Sequence, residues 1–219
     1  MQNRFYKSLL FWLFVASGIT YVITNCFDAF IIFGDLSLGI ASACVFYFIT
    51  VYVPAQRKRK TIKRHIAVSY RNMKCAILQN IIWAAKTNGN YSIPASCADI
   101  DRMLDSAEFR KVFDNNDNWG SFLDGLTKRP DFLKDILTEF EKFSAELSFV
   151  LLLYPCNDKQ YSAIWNWQNA IIDMKNADYE TYADNIKPLS RTLWEIYTAW
   201  NFVDGQRKVD AVQDFINKL

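Results

Sequence analysis

Residues 36–64 read LSLGIASACVFYFITVYVPAQRKRKTIKR: twenty-one positions without a formal charge, then six Lys or Arg in eight. An α-helix rises about 1.5 Å per residue, so about 20 apolar residues cross a hydrocarbon core about 30 Å thick. The uncharged run is long enough to span a bilayer, and the basic run marks the side on which the span ends. A second uncharged run, SLLFWLFVASGITYVITNCF, occupies the twenty positions 8–27. Together they predict an N-terminal transmembrane helical hairpin over 1–56, with FDAFIIFGD (27–35) as an apolar turn at the outer interface.

The charge balance is partitioned along the chain. The whole 219 residues carry a net +2, which alone would suit a soluble protein. The first 98 hold eleven Lys/Arg against Asp28 and Asp35, a net of +9, and the remainder hold fourteen against twenty-one, a net of −7. No acid interrupts the stretch between Asp35 and Asp99. Such asymmetry predicts an anionic neighbour, either lipid head groups or nucleic acid. Arg4 and Lys7 precede the first run, the basic collar follows the second, and only acids lie between, so both termini are expected in the cytoplasm. The first run has no A-x-A-like site, and Thr24-Asn25 precede Cys26 where a lipoprotein site needs small residues. A retained anchor is expected rather than a cleaved leader.

Small residues recur in the second run. Ser37-x-x-x-Ala41 and Gly39-x-x-x-Ala43 have the spacing that lets helices approach closely in lipid. They fit packing between the two legs, association between chains, or both. Tyr47 and Tyr52 suit an aromatic belt, and Pro54 predicts a break before the collar.

From 57 to 87 one basic juxtamembrane helix leads into a folded core. Its apolar stripe is Ile62, Ile66, Tyr70, Met73, Ile77, Ile81 and Ala84. TNGNYSIP (87–94) ends it. Residues 88–219 then read as an α-helical cytosolic domain. Helices are expected at 96–113 (one or two), 131–154, 159–176, 179–186, 188–202 and 206–218, with DNNDNWG (114–120) as a loop. Pro155 stops one helix, and Pro188 suits the first turn of another. No run alternates with period two, so the fold class is all-α.

Few constellations carry chemistry. Asp114-x-Asn116-x-Asn118 opens like an EF-hand loop, but Trp119 stands where the glycine belongs and Gly125 where the bidentate glutamate belongs. A capped turn is the expectation. With His65 alone, no phosphate-cradling glycine loop and no HExxH, no enzyme, metal or cofactor is expected. The five cysteines include no CxxC and read as plain thiols. Trp165, Trp167, Trp194 and Trp200 fit core packing better than a ligand cage. The candidate site is therefore the collar and its continuation, Arg57, Lys58, Arg59, Lys60, Lys63, Arg64, Arg71 and Lys74. These would contact anionic lipid or nucleic-acid phosphate.

In architecture the chain resembles the two-span effector toxins of bacterial anti-phage systems, those associated with retrons or with cyclic-nucleotide signalling. The resemblance covers the two spans, the collar at 57–64 and the helical body. It implies an inner-membrane protein held inactive until infection, then permeabilising the membrane as a homo-oligomer (abortive infection). In a retron the controlling partners would be a reverse transcriptase and its RNA–DNA hybrid molecule. Two spans cannot enclose a pore, so several hairpins would assemble, with Ser17, Ser37, Ser42 and Thr50 as polar lining. The competing expectation is a membrane-anchored scaffold whose helical domain docks a cytosolic partner.

Overall fold

The computed structural model describes residues 2–25, 31–114, 116–153, 158–177, 179, 186–201, 203 and 205–218. The described residues are mostly helical, and the fold is all-α apart from one pair of two-residue strands. The chain divides into two compact units, Met1–Thr61 and Ile62–Leu219.

In the first unit, α1 (Gln2–Asn25) and α2 (Ile31–Tyr47) pack against each other. A π-helical turn, Phe48–Tyr52, follows α2 and leads directly into α3, Val53–Thr87. The helix running from Asp35 through Thr87 is long and apolar enough to cross a membrane; α1 contributes a shorter apolar stretch, Phe11–Ile23. The break expected at Pro54 does not occur. Proline has no N–H to give to the carbonyl four residues back. The π turn absorbs that loss, because the Val53 N–H bonds to the Phe48 carbonyl with a five-residue spacing. Pro54 then falls in the first turn of α3, where a donor is not required. The expected interfacial turn lies partly outside the described residues, as does Cys26.

The second unit is built around the rest of α3. Ile66, Tyr70, Met73, Ile77, Ile81 and Ala84 are all buried, as their spacing predicts, and Ile62 is half-buried. Past residue 76 the helix also buries Leu78, Ile82 and Ala85. Two short helices follow, α4 (Cys97–Met103) and α5 (Ser106–Phe113). Ser96 and Asp99 form a reciprocal capping box on the first, and the Asp105 carboxylate caps the second. α6 (Asn116–Lys128) then occupies much of the segment expected to be a loop. Trp119, Phe122, Leu123 and Leu126 form its apolar stripe, and their packing on the core outweighs the turn-forming Asn and Asp at its start. Gly125 is required there: a Cβ would stand 2.0 Å from the Ala84 carbonyl oxygen of α3.

α7 (Pro130–Leu153) buries Leu133, Ile136, Phe140, Phe143, Leu147 and Val150, and packs against α8 (Asp158–Asn176). Burying each such side chain is worth about 1.5–3 kcal/mol. Tyr154, Pro155, Cys156 and the helix expected at 179–186 fall wholly or largely outside the described residues. α9 (Ile186–Thr198) carries Pro188 in its first turn and ends earlier than expected. Ala199 stops it with a positive φ of 54°. β1 (Trp200–Asn201) then pairs antiparallel with β2 (Gly205–Gln206), before α10 (Ala211–Lys218) closes the chain. The last expected helix, 206–218, is thus shortened at its start by this hairpin.

Candidate functional site

The helix pair separates its small residues into two groups. Ser37 is 5% exposed, and Ala41 and Cys44 are half-buried, one helical stripe at four- and three-residue spacing. Ser17 of α1 is buried as well, at 6% exposure. Gly39 and Ala43 are exposed instead, and a Cβ added to Gly39 would meet nothing within 4 Å among the described residues. Ser37-x-x-x-Ala41 therefore belongs to the covered face of α2, and Gly39-x-x-x-Ala43 to an outward one. Phe11, Trp12, Phe14, Ile19, Val22 and Ile23 of α1 are exposed, as are Leu36, Leu38, Ile40, Val45 and Phe46 of α2. A surface this apolar marks contact with a membrane or a partner. Four of its hydroxyls bond within their own helix: Ser17, Thr20, Ser42 and Thr50 donate to the carbonyls of Phe14, Ala16, Leu38 and Phe46 at 2.7–2.9 Å. That is the form in which hydroxyls are tolerated in a helix lacking water.

The collar residues do not share one environment. In the first unit Arg57, Lys58 and Lys60 are exposed and Arg59 is half-buried. In the second, Arg64 is exposed, and Lys63 donates to the Asn217 carbonyl at 2.5 Å. Arg71 pairs with Asp101 at 3.1 Å on the surface, and His65 lies 3.7 Å from Glu146.

Lys74 departs from the others. Its side chain is 12% exposed; Nζ donates to the Ile196 carbonyl at 3.1 Å and lies 3.7 Å from Asp210 Oδ2. The ammonium also sits over the rings of Tyr70 and Tyr197, at 5.7 and 5.2 Å. Tyr70 donates its hydroxyl to Asp210 Oδ1 at 2.7 Å, and Tyr197 donates to the Lys74 carbonyl at 2.5 Å. Asp210 in turn accepts from the Gln213 N–H in the first turn of α10. Burial lowers the Lys74 pKa, only partly offset by Asp210, and burial raises both tyrosine hydroxyls well above 10. This network ties α3 to α9 and α10, and Lys74 also lines a cavity together with Tyr70, Arg71, Asp101 and Asp105. Asp210 is invisible to sequence reasoning, because its partners are distant in the chain.

Of the four tryptophans expected to pack in the core, Trp167 and Trp194 do so, whereas Trp165 and Trp200 are 52% and 39% exposed. α6 begins at Asn116, within the segment that opens like a calcium loop, and Asn118 donates its amide to the Val112 carbonyl. Cys44, Cys75 and Cys97 are free thiols. Among the described residues no group of three His, Cys, Asp or Glu is arranged to hold a metal. No family model, curated protein or solved structure matches the chain.

Proposed function

We propose that this protein is a membrane effector whose two N-terminal helices cross the inner membrane, with both termini cytoplasmic, and associate between chains to permeabilise it. The observation that carries the reading is the division of small residues on α2. Ser37 and Ala41 are used within the helix pair, while the equivalent Gly39–Ala43 step faces outward, with open space beside Gly39. In lipid, such a step is where a second helix packs closely. The exposed apolar faces and internally bonded hydroxyls support insertion, and the exposed collar charges support retention on the cytoplasmic side. An anti-phage setting, with inhibition by a reverse transcriptase and its RNA–DNA hybrid, rests on the architectural resemblance alone.

One observation favours the membrane-anchored scaffold. Two of the four hydroxyl residues expected to line a pore, Ser17 and Ser37, are buried within the helix pair. Only Ser42 and Thr50 remain outward, and both donate to their own helix.

Membrane potential and dye entry after induced expression separate the two readings. The effector depolarises cells, and replacing residues 1–56 with an unrelated two-span anchor abolishes the effect. If the anchor-swapped chain works as well as the native one, the scaffold reading stands and the effector reading is discarded.

A further inference from the structure

Within the first unit, α1 and α2 do not close completely. A cavity of about 560 Å³ opens between them, lined by Phe11 and Phe14 on one side and by Cys44, Val45, Phe48, Ile49 and Tyr52 on the other. The lining is almost wholly apolar. Tyr52, the last lining residue, stacks on Phe48 with ring centroids 5.3 Å apart. The π turn contributes to this shape, since Phe48, Ile49 and Tyr52 all belong to it.

The same helix face continues into charge. Val45, Phe48, Ile49 and Tyr52 recur at three- and four-residue spacing, and the next steps from Tyr52 along α3 are Gln56, Arg59 and Lys60. Arg59 is half-buried and makes an interaction within the chain; Lys60 is exposed. An apolar slot thus leads past a tyrosine to two cations on one stripe. The matching occupant has a long hydrocarbon tail, an interfacial glycerol region and an anionic phosphate. A soluble anion would leave the slot empty, and a zwitterionic lipid would gain less from the cations.

We infer that this slot is a binding site for one anionic phospholipid, with an acyl chain between Phe11, Phe14, Val45 and Ile49 and the phosphate at Arg59 and Lys60. The inference rests on the proposal that the helix pair lies in a membrane. It adds that lipid charge is recognised at a defined place and not by the collar as a diffuse patch.

The test uses the full chain purified in mild detergent, with phosphatidylglycerol and phosphatidylcholine as probes and bound lipid counted by native mass spectrometry. One phosphatidylglycerol is expected to remain bound in preference to phosphatidylcholine. Arg59→Gln and Lys60→Gln should each weaken its retention about fivefold. Arg57→Gln with Lys58→Gln, off the stripe, should change it little. Val45→Trp, which fills the slot at an exposed position, should remove the bound lipid without unfolding the chain by circular dichroism.

Equal retention of both lipids, or equal loss from on-stripe and off-stripe substitutions, overturns the site. So does a Val45→Trp variant that dissociates an oligomer while retaining phosphatidylglycerol, since a second copy would then be the occupant. Flotation with pure phosphatidylcholine vesicles reads the underlying membrane proposal separately: a chain that floats but shows no lipid preference loses only the site, and one that never floats loses both.

Discussion

Lys74 and Asp210 form an ion pair of 3.7 Å in which both side chains are nearly buried, at 12% and 8% exposure. Asp210 serves two structures at once: it balances a buried ammonium on α3 and caps the first turn of α10. Asp210→Ala should therefore cost about 3–5 kcal/mol, the penalty for leaving a buried charge without its partner. Lys74→Met combined with Asp210→Asn should recover much of that loss, since no uncompensated charge remains. Denaturant unfolding of the detergent-solubilised chain, followed by circular dichroism, measures both. A double variant that loses as much as Asp210→Ala or more would mean that the two residues are not coupled.

The tyrosines beside this pair predict the alkaline limit. Burial raises the folded pKa of Tyr70 and Tyr197 above the unfolded value of 10.0, so the folded state holds those protons longer. Their contribution is complete below about pH 10 and is lost as pH rises above it. Lys74 acts oppositely: its folded pKa lies below 10.5, so its penalty is relieved as pH climbs from the folded value towards 10.5. Thermal stability should thus hold to about pH 10 and then fall. Tyr197→Phe should lower the plateau, through loss of its bond to the Lys74 carbonyl, and make the fall shallower. A variant with an unchanged alkaline slope would remove Tyr197 from the explanation.

Gly125 is a contact position and not a flexible one. A side chain there would bring its Cβ to 2.0 Å from the Ala84 carbonyl oxygen, so Gly125→Ala must push α6 away from α3. Overpacking of this kind costs about 1–3 kcal/mol or more, even though alanine favours the helix itself by about 1 kcal/mol. Gly120, with nothing within 4 Å of its Cβ position among the described residues, is the control, and Gly120→Ala should be neutral or stabilising. The two midpoints in denaturant decide it.

The two small-residue steps of α2 should separate in a crosslinking experiment. Gly39→Leu with Ala43→Leu is expected to abolish chain–chain crosslinks in membranes while leaving the chain folded and inserted. Ser37→Leu with Ala41→Leu should instead disturb the packing of α1 on α2 and lower expression. If both pairs behave alike, the outward step has no special part in assembly.

The proposed orientation rests on the collar. Replacing Arg57, Lys58, Arg59 and Lys60 by glutamine should shift part of the population to the inverted orientation, read by a reporter fused after Leu219. A fusion that stays fully cytoplasmic would show that other charges orient the chain.

The local and periodic features are legible without coordinates. The apolar face of α3 from Ile66 to Ala84, the α7 stripe and the two uncharged runs follow from hydrophobic spacing, which acts over a few residues and does not depend on distant partners. The stripe Trp119, Phe122, Leu123 and Leu126 carries the same signal for α6, but Asn, Asp and Gly around it argue for a turn until the core offers something to bury against. Pro54 reads as a break because the π turn that accommodates it leaves no mark in composition. Lys74 reads as one more collar cation, since only the folding of α9 and α10 onto α3 brings Ile196 and Asp210 to its ammonium. The same holds for the two faces of α2, where the spacing of small residues is plain but the choice between them is not. Sequence by itself determined the long helices α3 and α7, their apolar faces and the separation of charge, because these are short-range preferences. The tertiary structure alone decided which small residues and which cations remain outward, because that depends on what each face meets.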